Sequence, residues 1–188
     1  MAGSLRGQFL IASNQLRDSN FYRTVVLMVE HGETGAMGLV VNRPSSVTIA
    51  HALSEHFNLP ETDDVVFVGG PVEPAALFIT HTAPELDSDE PAVVPGLFVG
   101  SSPGVFERVI RHAVGGHADC RFRIFSGCAG WGADQLEGEI SRGDWWQMPG
   151  DMNLVLDEDP YDLWDLAARK VHQNNWIFND PPENPEFN

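Results

Sequence analysis

Apolar runs separated by short polar breaks dominate the first quarter of the chain and predict β-strands. Residues 8–12 form a short apolar run, and residues 20–30 are rich in β-branched and aromatic side chains. A glycine-bearing turn at residues 31–35 separates this second strand from a third over residues 36–42. The short turn predicts a β-hairpin, which ends at Pro44 because proline lacks the N–H that a strand pairing needs.

The middle of the chain mixes helix and strand patterns. Apolar spacing predicts one helix over residues 49–57 and another over residues 103–114, with Ser102 as its N-cap. Residues 69–71, Gly-Gly-Pro, predict the turn of a second hairpin. Further strands are predicted over residues 65–68, 76–81, 97–99, 120–125 and 153–156, and a last helix opens at Asp159-Pro160.

Residues 126–146, SGCAGWGADQLEGEISRGDWW, are the most informative segment. Their glycines predict a strand that ends in a tight turn, followed by a short helix over residues 134–141. Asp134 is predicted to cap this helix, with Glu137 three residues later as in a capping box.

Among these predicted elements, hairpins outnumber strand-helix-strand units. We therefore predict an α+β fold with six to eight strands and four helices, instead of a doubly wound parallel sheet. Residues 1–172 are predicted to form a single domain, since a chain of 188 residues fits one hydrophobic core. Residues 173–188 are predicted to be an acidic, proline-rich and partly disordered tail.

The chain has 11 basic and 27 acidic residues and a formal net charge of −16. Nucleic-acid affinity depends on Lys and Arg, so direct nucleic-acid binding is disfavoured. A signal-peptide pattern is absent, and no apolar run reaches the ~20 residues of a membrane-spanning helix. Cys120 and Cys128 are expected to be free thiols in a reducing compartment. The sequence therefore predicts a cytoplasmic protein without a membrane partner.

Each candidate for catalytic chemistry has a simpler structural explanation. Cys128 is at a predicted strand-to-helix turn, but its neighbouring glycines lack the spacing of a nucleophile elbow. Glu137 and Glu139 are two residues apart on a helix, so they point about 200° apart; we expect Glu137 to cap the helix and Glu139 to be solvated. Histidine pairs five residues apart diverge on a helix. We predict no catalytic residue, metal site or cofactor.

A binding site has better candidates. Asn42 and Arg43 end a predicted strand, and Arg binds carboxylates or phosphates through paired hydrogen bonds unless an acid of the fold occupies it. Trp131 either lines a groove or packs on the core. The candidate binding residues are Asn42, Arg43, Gly69, Gly70, Pro71, Trp131, Gln135 and Glu137.

Three segments in combination carry a family resemblance. They contain HGETGAMGLVVNRP within residues 9–44, VFVGGP within residues 66–81, and AGWGADQLEGEI within residues 126–164. This combination resembles the YqgE/AlgH (UPF0301) family of bacterial proteins. The chain departs from the family pattern at Cys128, where relatives commonly have Tyr, and at Asp134, where they often have Gly.

The resemblance implies a fold and leaves function open. The implied fold is a compact α+β domain with a bifurcated, mostly antiparallel sheet, part of it a small barrel, surrounded by helices. Three functions follow as hypotheses. We prefer a non-enzymatic binding or regulatory protein that acts through a protein partner or a small ligand, because no catalytic set is complete. The alternatives are an enzyme with a dispersed acidic active site and the transcriptional regulator that the family name suggests.

Overall fold

Apolar side chains bury both faces of the central strands in the computed structural model, which describes residues 3–59, 63–86, 91–115 and 120–178. In strand β1 (Gln8–Ala12), Phe9 and Ile11 pack into one core cluster, while Leu10 and Ala12 pack into another. Alternate residues of strand β2 (Val25–Gly32) divide in the same way. Burial on both faces explains why these strands are nearly continuous apolar runs in the sequence.

Nine strands of the described residues form one mixed sheet, and seven of them follow the order β4-β5-β8-β3-β2-β1-β9. Strand β6 pairs with β8 and β7, so the sheet branches at β8. The pairing of β5 with β8 is parallel, and the others are antiparallel. The remaining strands are β3 (Gly35–Val40), β4 (Pro44–Thr48), β5 (Val65–Val68), β6 (Val72–His81), β7 (Phe98–Gly100), β8 (Phe122–Gly132) and β9 (Trp145–Pro149).

This architecture confirms the predicted α+β fold with a bifurcated, mostly antiparallel sheet. The implied barrel is not closed among the described residues, because β4, β7 and β9 each pair with a single neighbour. Strand β8 makes the branch by pairing with β5 and β6 along its first half and with β3 along its second half.

Five α-helices surround the sheet in the described residues. Helix α2 begins as predicted, with the Ser102 hydroxyl accepting from the Val105 N–H at 3.3 Å. None of the helices in residues 3–59, 63–86, 91–115 and 120–178 is both long and apolar enough to cross a membrane. The helices are α1 (Ile49–Ala52), α2 (Pro103–Val114), α3 (Gln135–Ser141), α4 (Met152–Leu156) and α5 (Leu163–Phe178).

Strand predictions around the signature segment are wrong in two places. Strand β8 continues through the glycines to Gly132, because β3 pairs with its second half. Residues 153–156 belong to helix α4, since the Asp151 carboxylate caps that helix by accepting from the Asn153 N–H at 2.8 Å. Strand β9 was not predicted; it pairs with β1 along its whole length.

Three element ends also differ from the prediction. Pro44 opens strand β4 at the edge of the sheet, a position where a missing N–H is tolerated. Helix α1 covers Ile49–Ala52 only. Helix α5 continues to Phe178, past the predicted domain boundary at residue 172, and residues 179–188 of the predicted tail lie outside the described residues.

Candidate functional site

Asn42, the first candidate binding residue, joins two pieces of backbone. Its side-chain oxygen accepts from the Val25 N–H at 2.9 Å, and its Nδ2 donates to the Arg23 carbonyl at 3.0 Å. Both polar ends of the amide group are therefore used. They connect the end of β3 to the start of β2.

Arg43, the second candidate, also binds backbone. Its Nη1 donates to the Asn20 carbonyl, and its Nη2 donates to the Tyr22 carbonyl at 3.3 Å. Burial lowers the pKa of Arg43, and the negative charge of Asp18 opposes part of that shift. Backbone carbonyls thus take the place of the acid or ligand that the sequence suggested as a partner.

Asn42 and Arg43 together hold the loop of residues 18–24, which contains a strained residue. Arg23 has a φ of 52°, in the left-handed region that costs a non-glycine residue about 1–3 kcal/mol. The Asp18 carboxylate also stabilises the loop, because it accepts from the Asn20 N–H at 2.8 Å at the start of a single 3-10 turn. The strained backbone persists because three side chains fix it.

The Arg23 side chain connects this loop to helix α5. Its Nη2 lies 2.5 Å from Asp165 Oδ1, and its guanidinium carbon lies 4.4 Å from the centre of the Trp164 ring. The Trp164 indole N–H in turn donates to the Ala12 carbonyl at 2.9 Å. The loop and the first turn of α5 therefore form one continuous surface.

Gly69, Gly70 and Pro71 form a tight approach between two backbones. The Gly69 N–H donates to the Ser126 carbonyl at 2.8 Å. Gly70 has a φ of 154°, and a Cβ there would lie 2.2 Å from the Cys128 carbonyl carbon. No side chain fits at that distance, so Gly70 is required by packing. Pro71 is exposed at the end of the turn.

Trp131 and Gln135 meet at a carboxylate that the sequence analysis expected to be solvated. Glu139 Oε2 accepts from the indole N–H of Trp131 at 2.9 Å and of Trp145 at 2.8 Å. Glu139 Oε1 accepts from Gln135 Nε2 at 3.0 Å. The prediction for Glu139 is therefore wrong, because three donors converge on it. The spacing of Gln135 and Glu139, four residues apart on a helix, was the available signal.

Glu137 binds a histidine and does not cap helix α3. His31 Nε2 lies 2.9 Å from Glu137 Oε1, and His31 Nδ1 accepts from the Leu5 N–H at 3.2 Å. This second bond assigns the ring proton to Nε2, which donates to Glu137. Asp134 has a φ of 60° and makes no side-chain cap bond. The predicted capping box is thus wrong, since the left-handed backbone turns the Asp134 side chain away.

Comparison with known proteins identifies the family of this chain. A family model described as AlgH-like (DUF179) matches residues 9–176. The chain belongs to the AlgH-like family. A UPF0301 protein of Myxococcus xanthus is 37% identical over 163 residues, which cover 85% of this chain and 87% of the relative. A UPF0301 protein of Chlorobaculum parvum is 32% identical over 182 residues, covering 97% and 95%.

Two solved structures share the fold. The solution structure of the AlgH protein from Pseudomonas aeruginosa has a TM-score of 0.72 and 29% identity, with 98% of each chain covered. A crystal structure of a protein from Corynebacterium diphtheriae has a TM-score of 0.71 and 23% identity, with 90% of this chain and 88% of that chain covered. The names of these relatives state no activity, so the likeness establishes family and fold.

Cys128 is buried at the second half of β8. Cys128 is a free thiol, as predicted. Burial raises the pKa of the Cys128 thiol, and the negative charges of Glu73 and Glu30 raise it further. An activated nucleophile requires a lowered pKa, so the electrostatics oppose this role for Cys128.

The eight candidate residues thus lie in three separate groups and do not form one site. Asn42 and Arg43 hold a loop, the Gly69–Pro71 turn packs against β8, and helix α3 carries the polar contacts of Trp131, Gln135 and Glu137. Two exposed aromatic residues were not among the candidates: Tyr22, whose carbonyl accepts from Arg43, and Tyr161, just before the start of α5. Tyr22 is within a predicted strand and Tyr161 follows Pro160 at a predicted helix start, so neither position gave a signal of function.

Proposed function

We propose that this chain is a cytoplasmic, non-enzymatic binding protein whose partner is a protein with a basic segment. The proposed docking site is the Tyr22/Tyr161 surface, which consists of Tyr22 and Arg23 in the loop and of Tyr161, Asp162 and Asp165 at the start of α5. It rests on one observation: Tyr22 is 71% exposed and Tyr161 is 78% exposed, the highest values among the exposed large apolar residues that the structure describes.

Tyrosine and arginine are the residues that most often dominate binding energy at protein interfaces. The chain has two tyrosines, and both are on this surface. A tyrosine that serves only the fold buries its ring, whereas these two rings lie mostly in solvent. Their exposure therefore favours a role in contact with a partner.

The backbone beneath both rings is fixed before any partner arrives. Arg43 binds the carbonyl of Tyr22 itself, and Asn42 binds that of Arg23. The Asp159 carboxylate accepts from the Tyr161 N–H at 2.9 Å. A surface that is ordered in the free protein avoids much of the entropy cost of binding. Asn42 and Arg43 therefore contribute to partner binding by holding the backbone of the loop in place, without contacting the partner.

The negative charge of the Tyr22/Tyr161 surface favours a positively charged partner. Residues 157–165 contain five acidic residues and no basic one. Arg23 is the basic residue of the surface, and it is paired with Asp165. Complementary charge accelerates association and selects partners, so a basic segment is the favoured occupant. The overall charge of −16 acts in the same direction.

Site-specific photocrosslinking tests this proposal. A photoreactive phenylalanine analogue is placed at position 22 or 161 in the source bacterium, with Val47, which is 40% exposed on β4, as the control position. We expect one common protein adduct from positions 22 and 161, absent from position 47 and reduced by added salt. No adduct from either tyrosine position, or the same adducts from position 47, would refute the proposal.

The identified partner then allows a sharper measurement. Tyr22→Ala should weaken its binding by about tenfold or more, as expected for a central aromatic contact. Tyr22→Phe keeps the ring and should have a much smaller effect. Equal effects of the two substitutions would contradict the assignment of the ring as the main contact.

A further inference from the structure

A pocket of about 430 Å³ lies between α2 and the strands β2, β3, β6 and β7 and shares no residue with the Tyr22/Tyr161 surface. Each of the five elements contributes an apolar side chain to its floor, while polar groups make up the larger share of its exposed lining. Buried or half-buried side chains form this floor: Val29, Met37, Phe78, Val99 and Val105. The volume is within the range of cavities that hold small ligands.

The rim of this pocket is basic, in contrast to the rest of the chain. Among the residues that the structure describes, Arg6 and Arg108 line it, and the carboxylate of Glu30 opposes their charge. The chain as a whole has more than two acidic residues for each basic one. A local excess of positive charge above an apolar floor favours an anion that carries an apolar group.

The two arginines differ in how much of each guanidinium is used. Arg6 donates from Nη1 to the Ala92 carbonyl at 2.9 Å and from Nη2 to the Pro91 carbonyl at 2.8 Å. Arg108 donates only from Nε, to the Leu86 carbonyl at 3.0 Å. Within residues 3–59, 63–86, 91–115 and 120–178, neither Nη group of Arg108 has a hydrogen-bond or ionic partner. Two adjacent N–H groups of Arg108 are thus available for bidentate binding of a carboxylate or phosphate.

We infer that this pocket binds a small amphipathic anion, with its carboxylate or phosphate on Arg108 and its hydrocarbon chain on the apolar floor. Arg6 adds positive charge to the head-group position, and its own carbonyl contacts keep it in place. Glu30 reduces the attraction and so restricts the pocket to ligands that also gain from the floor. The inference does not depend on the proposed protein partner, since no residue is shared.

Titration of the full-length chain with defined probes tests the inference. Octanoate and octyl phosphate are compared by calorimetry with octan-1-ol, which lacks the charge, and with butanoate and inorganic phosphate, which lack the long chain. We expect at least one eight-carbon anion to bind about tenfold or more tightly than octan-1-ol and than its own short counterpart. The stronger of the two anions identifies the head group. Failure of both to bind at millimolar concentration, or equal binding of octan-1-ol, would overturn the inference.

Variants locate the binding site. Arg108→Gln should lower the affinity for the anion by about tenfold. Arg111→Gln is the matched control: it is three residues along the same helix, lines a different cavity and pairs with Glu107 at 2.8 Å. It should leave the affinity unchanged. Equal losses in both variants would show a non-specific charge effect and contradict the inference.

Glu30→Gln gives a test with the opposite sign. Glu30 is exposed, so the folded chain should tolerate the change. Removal of its charge should tighten anion binding severalfold while leaving octan-1-ol unaffected. Because the expected change is a gain, it does not arise from misfolding, and it decides the matter if Arg108→Gln proves unstable. Weaker or unchanged anion binding in Glu30→Gln would count against the pocket.

Discussion

Replacing Asn42 by Ala removes two side-chain hydrogen bonds, one to Arg23 in the strained loop and one to Val25 at the start of β2. The bond to the Arg23 carbonyl, at 3.0 Å, contributes on the order of 1 kcal/mol. Loss of the 2.9 Å bond leaves the N–H of Val25, a fully buried residue, without its acceptor, which costs about 1–3 kcal/mol. We therefore expect Asn42→Ala to lower the free energy of unfolding by about 2–4 kcal/mol.

Urea denaturation followed by circular dichroism measures this change. Asn14→Ala is the matched control, because Asn14 is exposed and its side chain makes no hydrogen bond within the described residues. It should alter the free energy of unfolding by less than about 0.5 kcal/mol. Limited trypsin digestion gives a second readout, since the released loop should be cut faster after Arg23. Equal stability of the Asn42 and Asn14 variants would refute the assignment of Asn42 as a structural residue.

Three further predictions concern the core around β8 and α3. Glu139→Gln places an amide nitrogen among the converging N–H donors, so we expect the free energy of unfolding to fall by about 1–3 kcal/mol and the tryptophan emission to shift to the red. An unchanged emission spectrum would contradict the hydrogen bonds to the two indoles. Gly70→Ala forces a Cβ into the β8 backbone and should lower the free energy of unfolding in urea by at least about 2 kcal/mol. Gly32→Ala is the control: no atom lies within 4 Å of the new Cβ, so the free energy of unfolding should fall by no more than about 1 kcal/mol. The raised pKa of Cys128 means that the folded chain holds this proton more tightly than the unfolded chain. Stability from this group is therefore complete below the ordinary thiol pKa and falls as the pH rises above it. Cys128→Ala should weaken that alkaline decline, and an identical decline in the variant would count against the burial argument.

Most of the strands and helix α2 could be predicted because their sequence pattern agrees with their tertiary contacts. Strands β1 to β3 are apolar runs that the sheet buries, and the Ser102 cap of α2 is a local interaction. The local sequence pattern gave wrong predictions where contacts with distant parts of the chain determine the secondary structure. The glycines of β8 indicated a turn, but at Gly127 a neighbouring backbone approaches so closely that a Cβ would lie 2.5 Å from the Gly70 carbonyl oxygen.

The candidate site shows the same division. Asn42 and Arg43 were recognised as unusual from their types and position, but their partners are backbone atoms about twenty residues earlier in the chain. Glu139 was predicted to be solvated because the two indoles that bind it come together only in the folded protein. Sequence alone identifies a polar residue at a strand end; the fold determines whether that residue binds a ligand or holds a loop.

The affinity of the crosslinked partner for the double variant Tyr22→Ala/Tyr161→Ala, measured beside its free energy of unfolding, tests the central claim most directly. Both rings are mostly in solvent, so we expect the free energy of unfolding to stay within about 1 kcal/mol of the wild-type value while partner binding is lost. Unchanged affinity, or a loss of affinity fully explained by a fall in stability, would contradict the claim that this surface exists to bind.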